Sequence, residues 1–190
     1  VVDLINPASP TVVGRLGFGA VSVTGIAIRG TYAYAAAGTA GLHVVNVSQA
    51  NNPHIARTVP PPSGTWSTAL ANYDRYLYVT NSTDTVVFDL GSPSNPVEIG
   101  RVATTASATT ATGTRFFAIR SSQLKTYDVA NPQAAAWLSS TNHNGSQGLA
   151  ATASTLFLAS PEVSASAGTG GLYLLQSNTV PPAPITNVYS

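Results

Sequence analysis

The stretch GTYAYAAAGTAGLHVVNVSQANNP, residues 30–53, decides the fold. It contains two short β-favouring runs separated by small residues and glycine, then Asn46 and, seven positions later, Pro53. Turn-forming residues between two such runs predict a β-hairpin. The same order recurs in DRYLYVTNSTDTVVFDLGSPSNP, residues 74–96. The recurrence predicts that one β-structured unit is repeated along the chain.

Each unit ends its apolar run in a residue with a short side-chain acceptor: Asp3, Asn46, Asp89 and Asp128, which we call the anchors. The steps between them are 43, 43 and 39 residues, and a weaker fifth copy has Gln176 at this place. Asp and Asn accept hydrogen bonds from backbone N–H groups two residues ahead and so form Asx-turns. We therefore predict that the anchors are structural turn residues, and not metal ligands.

Each period is predicted to hold four strands. A small-residue stretch precedes the hairpin, and a last strand such as HIARTV (54–59) or VEIGRV (97–102) follows the anchor. No window shows helical periodicity. Four antiparallel strands per 40–45 residues are typical of a β-propeller blade. The predicted fold is all-β, with about four blades plus a half-blade in a propeller that is complete or incomplete, and with the small-residue strands innermost.

The predicted boundaries follow the repeats. Only the last two strands of a blade fit into the first segment, so we expect its inner strands to come from more N-terminal sequence or from another subunit. The C-terminal PITNVYS, residues 184–190, is predicted as a last outer strand, with the start of a fibronectin type III-like domain as the alternative. The segments are a half-blade at 1–19 and blades at 20–62, 63–104, 105–141 and 142–190.

Composition limits the function. Only 8% of the residues are charged, and eight basic and seven acidic side chains give a net charge of +1. This argues against nucleic-acid partners, which need a basic surface. There is no cysteine, which excludes disulfides and thiolate metal sites, and no apolar run is long enough to span a membrane. Abundant Ser and Thr with so few charges favour an extracellular or cell-surface location.

Few residues stand out as candidate sites. Trp66 and His143 are candidate contact residues, and Asn81 and Asn144 lie in Asn-x-Ser/Thr sequons as candidate glycosylation sites. No catalytic residue, metal site or cofactor is predicted, because neither a Gly-x-Ser-x-Gly elbow nor a His-Glu-x-x-His motif occurs. Tyr78 and Phe116, at hairpin positions that we interpret as equivalent, are predicted to pack between blades.

The repeated pattern Tyr-x-Tyr, Gly-Leu-x-Val-Val-Asp/Asn-Val-Ser and Pro resembles the LVIVD repeat, best in residues 31–53 and 75–96. The resemblance implies a propeller fold and a surface-associated bacterial or archaeal protein, and it transfers no catalytic residue. The favoured function is a non-enzymatic scaffold or interaction module that binds protein or glycan at the cell surface or associates with itself. The alternatives are a filament or sheath subunit assembled by strand complementation and an extracellular enzyme with its site on the propeller face.

Overall fold

A computed structural model describes residues 1–62, 64, 66–142, 148–160 and 171–176. Within these residues every regular element is a β-strand, and none of them forms a helix that could cross a membrane. The strands are β1 (Val2–Asp3), β2 (Thr11–Val12), β3 (Gly25–Arg29), β4 (Tyr32–Ala36), β5 (Leu42–Asn46), β6 (His54–Val59), β7 (Trp66–Tyr73), β8 (Tyr76–Asn81), β9 (Thr85–Asp89), β10 (Val97–Val102), β11 (Ala108–Thr112), β12 (Arg115–Arg120), β13 (Gln123–Asp128), β14 (Ala136–Asn142), β15 (Gly148–Ala151), β16 (Thr155–Ser160) and β17 (Gly171–Gln176).

The strands form separate antiparallel sheets in which sequence neighbours pair. β1 and β2 make the two-stranded half-blade; β3–β6, β7–β10 and β11–β14 make blades 1, 2 and 3; β15–β17 make the described part of blade 4. The prediction of an all-β fold built from four-stranded blades is confirmed. The segment PITNVYS lies outside the described residues, so its strand assignment stays a prediction.

The small-residue strands lie innermost. β3 contacts β7, β7 contacts β11, and β11 contacts β15, so the first strands of successive blades form a continuous row. The fourth strands lie at the periphery, and every residue of β14 is exposed. Small side chains on the first strand therefore let adjacent blades approach one another where they converge.

Blade 2 is buried on both faces. On β8, Leu77 and Val79 pack with blade 1, whereas Tyr78 packs with blade 3. Side chains alternate between the two faces of a strand, so a sheet between two others needs apolar residues at consecutive positions. The run Val86–Phe88 has this composition and is fully buried or nearly so. Burial of each such side chain stabilises the fold by about 1.5–3 kcal/mol.

Blades 1, 2 and 3 share a β-bulge at the same place in the repeat. Between the third and fourth strands of blades 1, 2 and 3 the register shifts by one extra residue, at Ala56, Ile99 and Leu138. Each of these residues lies ten positions after the anchor of its blade. A bulge at this place bends the outer strand and increases the twist of each sheet. The outer strands of all three blades are therefore bent at the same point.

The aromatic residues pack between blades, but their equivalence differs from the sequence interpretation. Tyr76 pairs with Asp89 and Arg115 pairs with Asp128, so Phe116 is equivalent to Leu77 and not to Tyr78. Phe116 consequently faces blade 2 and stacks on Tyr78, with ring centroids 4.8 Å apart. The sequence interpretation was wrong by one residue because the step from Asp89 to Asp128 is 39 residues, whereas the two earlier steps between anchors are 43 residues.

Candidate functional site

The four anchors make the same local contact. In each case an Oδ1 atom accepts a hydrogen bond from the N–H group two residues ahead: Asp3 from Ile5 at 2.9 Å, Asn46 from Ser48 at 2.9 Å, Asp89 from Gly91 at 2.7 Å and Asp128 from Ala130 at 2.8 Å. This is the geometry of an Asx-turn. The side chains are occupied in redirecting the backbone from the third strand to the fourth.

A second turn follows each anchor at a fixed distance. In each unit the N–H group of the sixth residue after the anchor donates to the carbonyl of the third residue after the anchor. The four donor–acceptor pairs are Ser9 to Asn6, Asn52 to Gln49, Asn95 to Ser92 and Ala134 to Asn131. Two of the anchors also bind an arginine at the start of the second strand of their blade: Asp89 binds Arg75, just before β8, and Asp128 binds Arg115, the first residue of β12. The hydrogen bond from Arg75 lowers the pKa of Asp89 below its usual value. Among the described residues no group of His, Asp or Glu side chains could hold a metal ion.

Of the other predicted site residues, Trp66 and Asn81 lie opposite each other in the pairing of β7 with β8. Trp66 begins β7, the innermost strand of blade 2. His143 and Asn144 lie outside the described residues, so both assignments stay predictions. Asn81 is fully buried, and its Nδ2 donates to a carboxylate oxygen of Asp84. A glycan could reach Asn81 only if this turn opened, and its glycosylation also stays a prediction.

His43 lies against the first segment of the chain. Its ring stacks on Phe18, with centroids 5.1 Å apart, and its Nδ1 lies 2.9 Å from the Oγ1 of Thr58. Burial lowers the pKa of His43, which keeps the ring neutral near pH 7. The ring therefore acts as a packing element between residues 1–19 and blade 1.

The largest of the described cavities, about 650 Å³, is a groove between blades 3 and 4. This interblade groove has an apolar floor of Phe117, Leu124 and Leu156 and is otherwise lined mainly by hydroxyl groups. Its volume is within the usual range of small-ligand sites, roughly 300–1,000 Å³. The hydroxyl residues are Thr112, Thr114, Thr126, Ser139, Thr141, Thr152, Ser154 and Thr155.

Two hairpin turns form one end of the interblade groove. They connect the first and second strands of blades 3 and 4 and so occupy equivalent places in the repeat. Thr152 closes the second turn, because its Oγ1 accepts from the N–H group of Thr155 at 3.1 Å. In the first turn, Arg115 is held by Thr114 and Asp128, each within 3.2 Å. The single guanidinium of the lining is therefore paired with the carboxylate of Asp128, which lies outside the lining.

The interblade groove can bind an uncharged, hydroxyl-rich ligand. Hydroxyl groups both donate and accept hydrogen bonds, and the apolar floor offers a contact to an apolar surface of the ligand. Sequence analysis did not find this site, because its lining comes from two blades and contains no charged motif. A usable signal was present: both turns, TGT at 112–114 and TAST at 152–155, are rich in threonine and serine at equivalent repeat positions.

Solved structures with the same fold are similar to this chain at low sequence identity. The computationally designed Ika4 protein matches with a TM-score of 0.61 at 13% identity, with 84% of this chain and 95% of Ika4 covered. The computationally designed Ika8 protein gives 0.59 at 13%, with 80% of this chain and 45% of Ika8 covered. A functionally unknown protein from Desulfotomaculum acetoxidans DSM 771 gives 0.59 at 12%, with 88% and 55% covered.

The chain thus spans about half the length of two of these three structures. No curated protein sequence matches it. The family described as LVIVD repeat matches residues 21–59 and 67–104, the segments that contain blades 1 and 2. The Asx-turns and bulges repeat in register with these segments, so the chain contains LVIVD repeats and has a β-propeller-like fold.

Proposed function

We propose that this protein is a non-enzymatic interaction module that acts outside the cell or at its surface, and that the interblade groove binds a neutral glycan. The observation that carries the proposal is the lining of this groove: eight hydroxyl side chains surround an apolar floor that includes Phe117. Sugars present the complementary surface, with hydroxyl groups at the edge of each ring and C–H groups on its face.

The composition supports the same proposal. Charged residues make up 8% of the chain, and the described ion pairs occupy Arg75, Arg101 and Arg115. A surface of this kind offers few charges for binding acidic or basic partners. The bacterial or archaeal surface setting implied by the repeat family is one in which glycans are abundant.

A glycan array followed by calorimetric titration tests the proposal. We expect saturable binding of at least one neutral oligosaccharide, and we expect Ser139→Tyr to abolish it because the new ring fills the interblade groove. Ser140→Tyr is the matched control: it lies on the same exposed strand, but its side chain points to the opposite face. Absence of binding to any glycan, or equal loss in the two variants, would refute the proposed site.

The enzyme alternative has less support. In the described part of the chain, His43 is stacked on Phe18 and the Nδ1 of His54 lies 3.4 Å from a backbone carbonyl, that of Asn52. In the described contacts neither ring is placed against a carboxylate, so the His43 ring that contacts the Thr58 hydroxyl lacks the orienting acid of a catalytic triad. The same glycan panel, incubated with the protein and analysed for cleaved products, separates binding from hydrolysis.

A further inference from the structure

A second pocket, of about 320 Å³, lies on the face of blade 3 that is opposite to the interblade groove. Its lining includes Thr105, Ala118, Arg120, Ser121, Gln123 and Lys125. Ala118 pairs with Lys125 and Arg120 pairs with Gln123, so these four side chains share one face of the sheet. Ala118 belongs to the apolar cluster between blades 2 and 3, so this face is turned toward blade 2. We call this space the cationic pocket.

The lining of the cationic pocket contains two positive charges and no carboxylate. Neither Arg120 nor Lys125, the only lysine of the chain, forms an ion pair with a described residue. An Nη atom of Arg120 donates to the Thr105 hydroxyl, and the described hydrogen bonds include none from the Lys125 ammonium. A guanidinium has five N–H donors and an ammonium has three. Most of these donors are therefore free to bind a ligand.

The position of Lys125 is closed in the two preceding blades. Lys125 lies three residues before the anchor of blade 3, and the residues at this distance from the anchors of blades 1 and 2 are His43 and Val86. They are 7% and 0% exposed, and the ring of Phe18 covers His43. Lys125 is only partly buried. Blade 3 therefore has an open pocket and a charge where the other two blades have a packed, neutral side chain.

Arg120 shows the same contrast. It lies five residues after the residue that pairs with the anchor of its blade, and Ala37 and Asn81 lie at this distance in blades 1 and 2. Ala37 and Asn81 are 1% and 0% exposed, whereas Arg120 is exposed. Because an unpaired charge is costly to bury, two cations on one face keep this end of the blade open to solvent. The cationic pocket thus follows from two substitutions in the repeat.

The turn between β12 and β13 adds neutral hydrogen-bonding groups to the cationic pocket. Ser121 and Ser122 contribute hydroxyls, and Gln123 contributes an amide. Ser121 has a φ of 56°, in the left-handed region that favours glycine, and the equivalent residue of blade 1, Gly38, has the same φ. A serine in this conformation is retained at a cost in backbone energy. Its exposed hydroxyl lines the pocket beside the two cations.

We propose that the cationic pocket binds a phosphate monoester carried by a small molecule. A phosphate monoester has a charge of about −1.5 to −2 at pH 7, which Arg120 and Lys125 together balance. The planar guanidinium can bind two phosphate oxygens at once, and the ammonium can bind a third as a point charge. The volume is at the lower end of the usual range for small-ligand sites, roughly 300–1,000 Å³. It accommodates the phosphoryl group and part of the group that carries it.

Calorimetric titration of the intact chain with glycerol 3-phosphate, at low salt and pH 8, tests the proposal. We expect saturable 1:1 binding with which glycerol does not compete. Lys125→Gln should weaken binding by at least about tenfold, because it removes a charge-assisted hydrogen bond. Arg57→Gln, which removes one positive charge from the exposed outer strand β6, is the matched control and should bind as the parent does.

The same titration separates this site from the interblade groove. Ser139→Tyr fills the groove on the other face of blade 3 and should leave the binding of glycerol 3-phosphate unchanged. Failure of either site therefore leaves the other proposal untouched. Inorganic phosphate that displaces the ester would show that the phosphoryl group itself is recognised, as we expect.

Three results would overturn the inference. They are no saturable binding of glycerol 3-phosphate, binding of the singly charged sulfate ester of glycerol as tightly as the phosphate ester, and equal weakening by Lys125→Gln and Arg57→Gln. Circular dichroism spectra of the variants, compared with that of the parent chain, show that any loss of binding occurs in a folded protein.

Discussion

Replacement of Gly100 by alanine tests how tightly blades 2 and 3 are joined at their outer edge. Gly100 lies in β10, next to the bulge. An added Cβ would lie 2.7 Å from the carbonyl oxygen of Pro132 and 2.8 Å from the Cα of Gln133. Both atoms belong to a backbone turn that the 3.0 Å hydrogen bond from Ala134 to Asn131 closes. Restoring ordinary contact requires the two blades to separate by about half an ångström, and overpacking of this kind costs about 1–3 kcal/mol.

The measurement is the free energy of unfolding from urea titrations of Gly100→Ala and of the control Gly17→Ala. An added Cβ at Gly17 meets no atom within 4 Å. The control should therefore be neutral or should stabilise the chain by about 0.4–1 kcal/mol, because alanine restricts the unfolded state. We expect Gly100→Ala to unfold at a clearly lower urea concentration. If the two variants unfolded at the same midpoint, the close approach of blades 2 and 3 would be wrong.

Three further predictions concern named side chains. Tyr34→Phe removes the 2.8 Å hydrogen bond from the Tyr34 hydroxyl to the Pro93 carbonyl across the interface of blades 1 and 2. It should lower the free energy of unfolding by about 1–2 kcal/mol in a urea titration. Tyr73→Phe, at an exposed position, is the control and should have no effect. Burial raises the pKa of Tyr34 and Tyr78 from 10.0 to about 12. The free energy of unfolding should therefore be unaffected by these two groups below pH 10 and should fall between pH 10 and 12, as the folded state resists their ionisation. A spectrophotometric phenolate titration that showed ordinary pKa values for every tyrosine would contradict this. Asn46→Ala should cost about 1 kcal/mol because it removes the acceptor of the Asx-turn, whereas Asn46→Asp retains the acceptor and should cost less; equal thermal denaturation midpoints in the two variants would argue against the turn function.

The features that could be predicted from the sequence, the anchor turns and the strands of each blade, depend on residues that lie close together in the chain. An anchor and the N–H group that it binds are two residues apart, so the side chain type alone indicates the turn. The spacing of anchors then gave the number of strands in each blade. The register of Phe116 could not be obtained this way, because the step from Asp89 to Asp128 is 39 residues and the sequence does not say where four residues are missing.

The candidate site depends on contacts that no local pattern contains. The interblade groove exists because Thr126 and Ser139 of blade 3 face a turn of blade 4, and this juxtaposition follows from the packing of complete sheets. The exposure of Trp137, 62%, was likewise missed, since an aromatic residue in a predicted strand is usually buried. Trp137 lies nine residues after the anchor Asp128. Val12 and Ile55, which lie nine residues after the anchors of their own sheets, are exposed as well.

The distribution of charge connects the turns to the proposed ligand. Asp89 and Asp128 are bound by arginines at the start of the second strand of their blades, and Arg101 binds Asp84 and Glu98 within blade 2. Three arginines and four carboxylates of the described residues are thus paired inside individual blades, where they support turns and outer strands. Apart from Arg115, the interblade groove is lined by hydroxyl and apolar side chains and by one glycine. Because hydrogen bonds between neutral groups are not screened by salt, we expect the affinity of the proposed neutral glycan for the interblade groove to change little with ionic strength.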